Sequence, residues 1–156
     1  MKFVLLTLTT AKEPWAQEAR ELYIQKIKPF VAFEVKELKP KKSSRTQKEY
    51  KLKEESEIIL DEITNDDFVV LFDERGKSFS SEEFSQQFEK IFLTGKKRTV
   101  FIIGGAYGVD DSVRNKAHIT ISFSKMVMNH LVAQTVAFEQ IYRALTILKK
   151  IPYHNS

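Results

Sequence analysis

Short apolar stretches alternate with longer amphipathic ones along this chain. FVLLTLT (3–9) is an apolar, β-rich run that predicts a strand, while DFVVLF (67–72) and TVFII (99–103) are continuously apolar, the pattern of strands covered on both faces. VAFEVKEL (31–38) turns Val31, Phe33 and Val35 inward and leaves a wetter face, and HITIS (118–122) supplies a fifth strand. In EPWAQEARELYIQKIK (13–28), Trp15, Ala19, Leu22, Tyr23 and Ile27 share one helical face, with Pro14 where a first turn tolerates it. A charged helix is predicted over 46–63, with Leu52, Ile59 and Ile63 spaced for packing, after a break at PKKSS.

SSEEFSQQFEKIFLTG (80–95) places Ser80 and Glu83 in capping-box spacing. Phe84, Phe88, Ile91 and Phe92 follow as a stripe, and Gly95 is positioned to stop the helix. DDSVRNKA reads as a short helix with acids in its first turn. NHLVAQTVAFEQIYRALTILKK (129–150) is a long last helix before the tail IPYHNS.

This alternation predicts one α/β domain over residues 1–156, a mostly parallel sheet with helices on both faces. Ligands in such sheets bind beyond the carboxyl ends of the strands. Three turns fall there, DERGK, GGAYG and SFSKMVM, with Gly76 of the first free to take a positive φ.

Charge sharpens the picture. The net charge is +4, but residues 36–53 carry eight Lys/Arg against two Glu, a local +6 that leaves the remainder at −2. Such a segment is either a polyanion contact or a solvated lysine-rich loop. The chain has no cysteine, which excludes disulfides and thiolate metal sites. No apolar run reaches the ~18 residues of a membrane span. The first residues read as a strand, not a secretory signal, so the expected compartment is the cytoplasm.

GGAYG matches neither a P-loop nor G-x-G-x-x-G. It suits either a ligand packed by shape and main-chain hydrogen bonds, such as an adenosine group, or an ordinary strand-to-helix turn. His118, His130 and His154 lack metal-ligand spacing, so no metal is expected, and no serine stands in G-x-S-x-G. In the last helix Leu131, Val132, Val136, Phe138, Ile141, Leu145, Ile147 and Leu148 occupy more than one face, which suggests a partner subunit. Glu139 and Arg143 interrupt it at i,i+4 spacing, as a helical ion pair.

The ordered set LFDERGK, FIIGGAYG, SFSKMVMNH, EQIYRA and a terminal PYH resembles the small bacterial SPOUT methyltransferases, specifically those that methylate N3 of a pseudouridine in large-subunit ribosomal RNA. The resemblance spans essentially the whole chain. It implies a C-terminal trefoil knot, a homodimer, and S-adenosylmethionine held by the three turns. The contacts it carries over are Phe72, Gly104 and the run Phe123, Ser124, Lys125, Met126, Val127 and Met128. On this view the glycine turn is bare because the cofactor rests on it. Near the reaction it implies His154, Tyr153, Arg143 and His130, with either histidine as a base and Tyr153 as a positioning group.

The chain departs from the family's usual Thr-x-Pro-His-(Gln/Pro) loop, reading Val127-Met128-Asn129-His130-Leu131, although Asn129 can still cap a helix. Gln134 and Asn155 stand where the family usually carries a positive charge. The 36–53 segment is expected to supply phosphate contacts in their place. The altered loop keeps open a different RNA position, or a catalytically silent dimer that binds RNA or ribosomes. A pocket for another adenosine compound is a third reading.

Overall fold

The computed structural model describes residues 1–8, 12–40 and 47–155. Residues 41–46, which hold most of the predicted PKKSS break and the middle of the basic segment, lie outside the described residues. The elements are β1 (Lys2–Leu8), α1 (Pro14–Ile27), β2 (Ala32–Leu38), α2 (Lys48–Asp61) and β3 (Asp67–Ser78), followed by α3 (Ser81–Leu93), β4 (Arg98–Ile103), α4 (Asp111–Arg114), β5 (Ile119–Ser122) and α5 (His130–Leu148). The strands form one sheet in the order β2-β1-β4-β3-β5, and every ladder in it is parallel.

Period-two alternation sorts the strand residues into two cores. Phe3 and Leu5 of β1, Val70 and Phe72 of β3, and Phe101 and Ile103 of β4 face Ile27, Phe88 and Phe138 of α1, α3 and α5. Val4 and Leu6, Val69 and Leu71, and Val100 and Ile102 face Ile59 of α2 and Val113 of α4. With both faces covered, β1, β4 and the 67–72 stretch of β3 show little polar side, whereas the edge strand β2 keeps Glu34, Lys36 and Glu37 exposed. Each large side chain buried this way contributes about 1.5–3 kcal/mol, so the sheet interior anchors the fold.

Helix ends follow their local chemistry. Ser80 and Glu83 form the reciprocal capping box of α3, and Gly95 beyond its end adopts φ +71°. Pro14 begins α1, and Asn129 Oδ1 accepts the Leu131 amide at the start of α5. The Glu139–Arg143 pair forms as the spacing predicts, at 2.5 Å.

Three sequence expectations need correction. β3 does not stop at Phe72 but runs to Ser78, and Gly76 has no positive φ. Its glycine is demanded by proximity: an added Cβ would lie 2.6 Å from the Ile121 amide nitrogen on β5. On α1, Trp15 and Leu22 are exposed, because only the Tyr23–Ile27 end of the stripe reaches the core. On α3, Phe92 stays at the rim, 38% exposed, although its ring stacks on Phe3.

Connectivity creates the site. From neighbouring strands, β3 leads to α3 on one face of the sheet and β4 leads to α4 on the other. The chain therefore diverges at their carboxyl ends and opens a crevice there.

Candidate functional site at the diverging strand ends

A cavity of about 700 Å³ occupies that crevice, within the range of small-molecule sites. Phe72, Asp73, Glu74 and Arg75 of β3 form one wall, and the 104–108 turn forms another. The segment after β5 closes it with Phe123, Ser124 and Met126 to Met128, while His130 and Ala133 of α5 and Lys48 of α2 complete the lining. Phe72 and Phe123 stack at 4.4 Å, an apolar floor. Above it, Ser124 shapes its own loop: its hydroxyl accepts the Met126 amide at 2.9 Å, and its carbonyl accepts Ser122 Oγ at 3.0 Å. Met126 and Val127 stand at the mouth, 78% and 84% exposed.

Seven of the eight residues expected at a donor thus line one cavity: Phe72, Gly104, Phe123, Ser124, Met126, Val127 and Met128. Lys125 belongs to the same loop but is not part of the lining.

The glycine turn is bare for a reason the sequence did not reveal. A Cβ on Gly104 would lie 2.7 Å from the Gly108 carbonyl oxygen, and one on Gly105 would lie 2.2 Å from Glu55 Oε2. Both positions press on protein. Gly108, at φ +75°, donates its amide to the Gly105 carbonyl and closes the turn. The main chain of this turn, with little side chain over it, is what the cavity presents.

Charges around the cavity are organised. Asp73 takes hydrogen bonds from the Arg75 amide and, at 3.0 Å, from Arg114 Nη2. Burial alone would raise its carboxyl, but those bonds and both arginine charges hold it below the ordinary range. His130 is shifted the other way: burial and the Lys51 charge lower it, against a hydrogen bond to the Gly104 backbone. Its neutral form is favoured near pH 7.

The other three expected catalytic residues gather elsewhere. Arg143 grips Glu139 from α5, and its Nη1 lies 3.2 Å from His154 Nδ1. Tyr153 donates its hydroxyl to Glu139 at 3.0 Å, and His154 Nε2 lies 2.7 Å from Glu82 of α3. Since a guanidinium can only donate, Nδ1 accepts and Nε2 carries the proton toward Glu82. Burial and the Glu139 contact push the Tyr153 phenol upward. None of these three lines the cavity, so the structure brings Arg143, Tyr153 and His154 together and leaves His130 apart.

Sequence reasoning missed Glu55, Ser56, Asp73 and Glu82. A signal existed for the first two, since they lie between Leu52 and Ile59 on the packing face of α2 and are both buried. Gln134, in place of a charge, is buried and donates to Thr7 Oγ1 at 2.7 Å. Among the described residues no His/Asp/Glu group could hold a metal, and no helix is long and apolar enough to cross a membrane.

A family model described as a predicted SPOUT methyltransferase matches residues 1–154. The chain belongs to the SPOUT methyltransferase family. Similar SPOUT proteins bear the name ribosomal RNA large subunit methyltransferase H. One from Bdellovibrio bacteriovorus is 56% identical over 99% of both chains. A second, from Christiangramia forsetii, is 40% identical over 99% of this chain and 98% of its own, and one from Streptococcus pneumoniae is 37% identical over 99% of each. The five-stranded parallel sheet flanked by helices agrees with the α/β layering of a SPOUT methyltransferase.

Proposed function

We propose that this chain methylates large-subunit ribosomal RNA at N3 of a pseudouridine, with S-adenosylmethionine as donor, as a cytoplasmic homodimer. The observation that carries the reading is the convergence of the three strand-end turns on one cavity in a chain of this family. The residues fit such a donor: the Phe72–Phe123 floor suits an adenosine, and exposed main chain offers neutral hydrogen bonds. Side chains of both signs, Asp73 and Glu74 against Arg75 and Lys48, suit an amino-acid group beside a cation. Bound there, the donor supplies an electrophilic methyl group on a sulfonium.

The protein's part is to position and to move a proton. His130, neutral and in the cavity wall, can take the proton that an imide nitrogen must lose. His154 has both ring nitrogens engaged within its own subunit, which fits a positioning part for the Arg143–Tyr153–His154 cluster. A homodimer would let the tail of one protomer serve the cavity of the other. Exposed Trp15 and Leu22 on α1 and Val132 on α5 support such an interface, and the trefoil knot belongs to the same proposal. The 36–53 segment supplies phosphate contacts through its lysines, among which Lys48, Lys51 and Lys53 lie on α2.

The test incubates the protein with labelled donor and ribosomes lacking the modification, then maps the labelled nucleotide. Label at a pseudouridine N3 is expected. Label elsewhere would assign the altered loop 127–131 to another target, and donor binding without label would leave a silent RNA-binding dimer.

A further inference from the structure

We infer that Glu55 is a positioning residue for the donor site: from α2, its buried carboxyl fixes Gly105 from behind and thereby sets the turn that lines the cavity. The inference rests on the reading of that cavity as the methyl-donor site.

Glu55 is 3% exposed, and its Oε2 has no hydrogen-bond partner. Burying an unpaired carboxyl oxygen is unfavourable, and a leucine would fill a helix face without that penalty. What the carboxyl touches explains its presence. A Cβ on Gly105 would meet Oε2 at 2.2 Å, Glu55 Cδ at 2.9 Å and Leu8 Cδ1 at 3.0 Å, so the glycine and the carboxyl are matched in shape. The next residue, Ser56, accepts the Asp110 amide on its hydroxyl at 3.0 Å. Two consecutive side chains of α2 therefore hold the turn near both ends. Between them, Lys48 and Lys51 place their ammonium groups 5.4 and 5.9 Å from the centre of the Tyr107 ring.

The turn is tight, so the hold is transmitted. The Gly108 amide bonds the Gly105 carbonyl at 2.9 Å, and a shift of Gly105 must carry Ala106 and Tyr107, both in the cavity wall. Burial pushes the Glu55 carboxyl up, against a Lys51 charge 3.9 Å from Oε1.

Calorimetric titration with S-adenosylmethionine tests the inference on four variants of the full chain. Glu55→Ala should bind about tenfold more weakly while keeping its helical circular dichroism, and Glu55→Gln, which preserves shape and an oxygen, should stay within about twofold of the parent. Gly105→Ala should also weaken binding, because its methyl strikes the carboxyl. The double variant Glu55→Ala/Gly105→Ala should bind about fivefold or more tightly than Gly105→Ala alone, since the obstructing group is gone. A packing role without effect on the turn would lower the melting temperature and leave affinity unmoved. The inference is overturned by Glu55→Ala binding like the parent, by Glu55→Gln binding no better than Glu55→Ala, or by losses that simply multiply in the double variant. If the parent itself binds no donor, the reading of the cavity falls first, a result distinct from a parent that binds and variants that match it.

Discussion

The ring of Tyr153 covers the guanidinium of Arg143, whose Cζ lies 4.7 Å from the ring centre, while the tyrosine hydroxyl donates to the same Glu139 that Arg143 grips. Tail and helix are thus joined by one carboxylate, one stacked cation and one hydroxyl. Arg143→Ala removes the stacked cation from Tyr153 and the Nδ1 partner from His154, leaving the tail its bonds to Glu139 and Glu82. Methyl transfer to ribosomes should fall about 100-fold, the scale of a misplaced positioning group. Donor affinity should change less than about twofold, because the cluster lies outside the cavity. Arg143→Lys keeps charge but not the planar fork and should recover only part of the rate. Parallel loss of rate and donor affinity would place the cluster in the donor site instead.

Gly104 has no room to grow. Its added Cβ would press on the Gly108 carbonyl carbon and oxygen at 2.8 and 2.7 Å, and on Val109 Cγ1 at 2.9 Å. Backbone cannot swing aside as a side-chain end can. Gly104→Ala should therefore open the turn, lowering stability by about 1–3 kcal/mol and weakening donor binding about tenfold. Urea titration and calorimetry on the same preparation read both effects. Unaltered affinity would show that the turn contributes nothing to the site.

His130 should give donor binding a pH dependence. Burial and Lys51 lower its titration from the ordinary value of about 6.5, so the ring is neutral at pH 7 and charges only as pH falls through the lowered value. A charged imidazole would then repel a sulfonium. Affinity measured by calorimetry should decline from pH 7 toward pH 5, and His130→Gln should flatten the decline. The same lowering means that the folded state loses stability as pH falls across this window. A slope that persists in His130→Gln belongs to another group.

Asp67 and Arg98 fasten the opposite rim of the sheet. Arg98 donates Nε to Oδ1 at 2.7 Å and Nη2 to Oδ2 at 2.5 Å, and the Thr64 amide bonds Oδ2 at 2.7 Å. Burial alone would raise the Asp67 carboxyl, but these bonds hold it below its ordinary range. The stabilisation is therefore full above about pH 4 and fades as pH falls through the lowered value. Arg98→Ala should cost about 2 kcal/mol at pH 7, the scale of hydrogen bonds to a charged group, since Asp67 is buried but Arg98 only half-buried. The gap between parent and variant in urea unfolding should narrow at pH 3, and a gap of constant size would refute the assignment.

Much of the fold was legible because its signals are local. Continuous apolar runs announced β3 and β4, and Ser80, Glu83, Gly95 and Asn129 marked helix ends by chemistry within a few residues. Contacts between distant segments were not legible. Gly76 read as a turn glycine free to take a positive φ and Gly105 as part of a turn bared for a ligand, yet each is small because Ile121 or Glu55, far away in sequence, comes close. His154 finds Glu82 across 72 residues, a pairing no spacing rule contains. Trp15 and Leu22 have helical periodicity but remain outside, since period reports a shared face and not what covers it.

The ladder between β3 and β5 leaves Ile121 at Phe72 and meets Ile121 again at Lys77. Residues 73–76 are thus an excursion that returns to its point of departure, and three of them, Asp73, Glu74 and Arg75, wall the cavity. Within that detour Gly76 presses on β5, while Asp73 reaches sideways to Arg114 of α4. The side chains along one side of the cavity are thus carried by residues that stand outside the strand register.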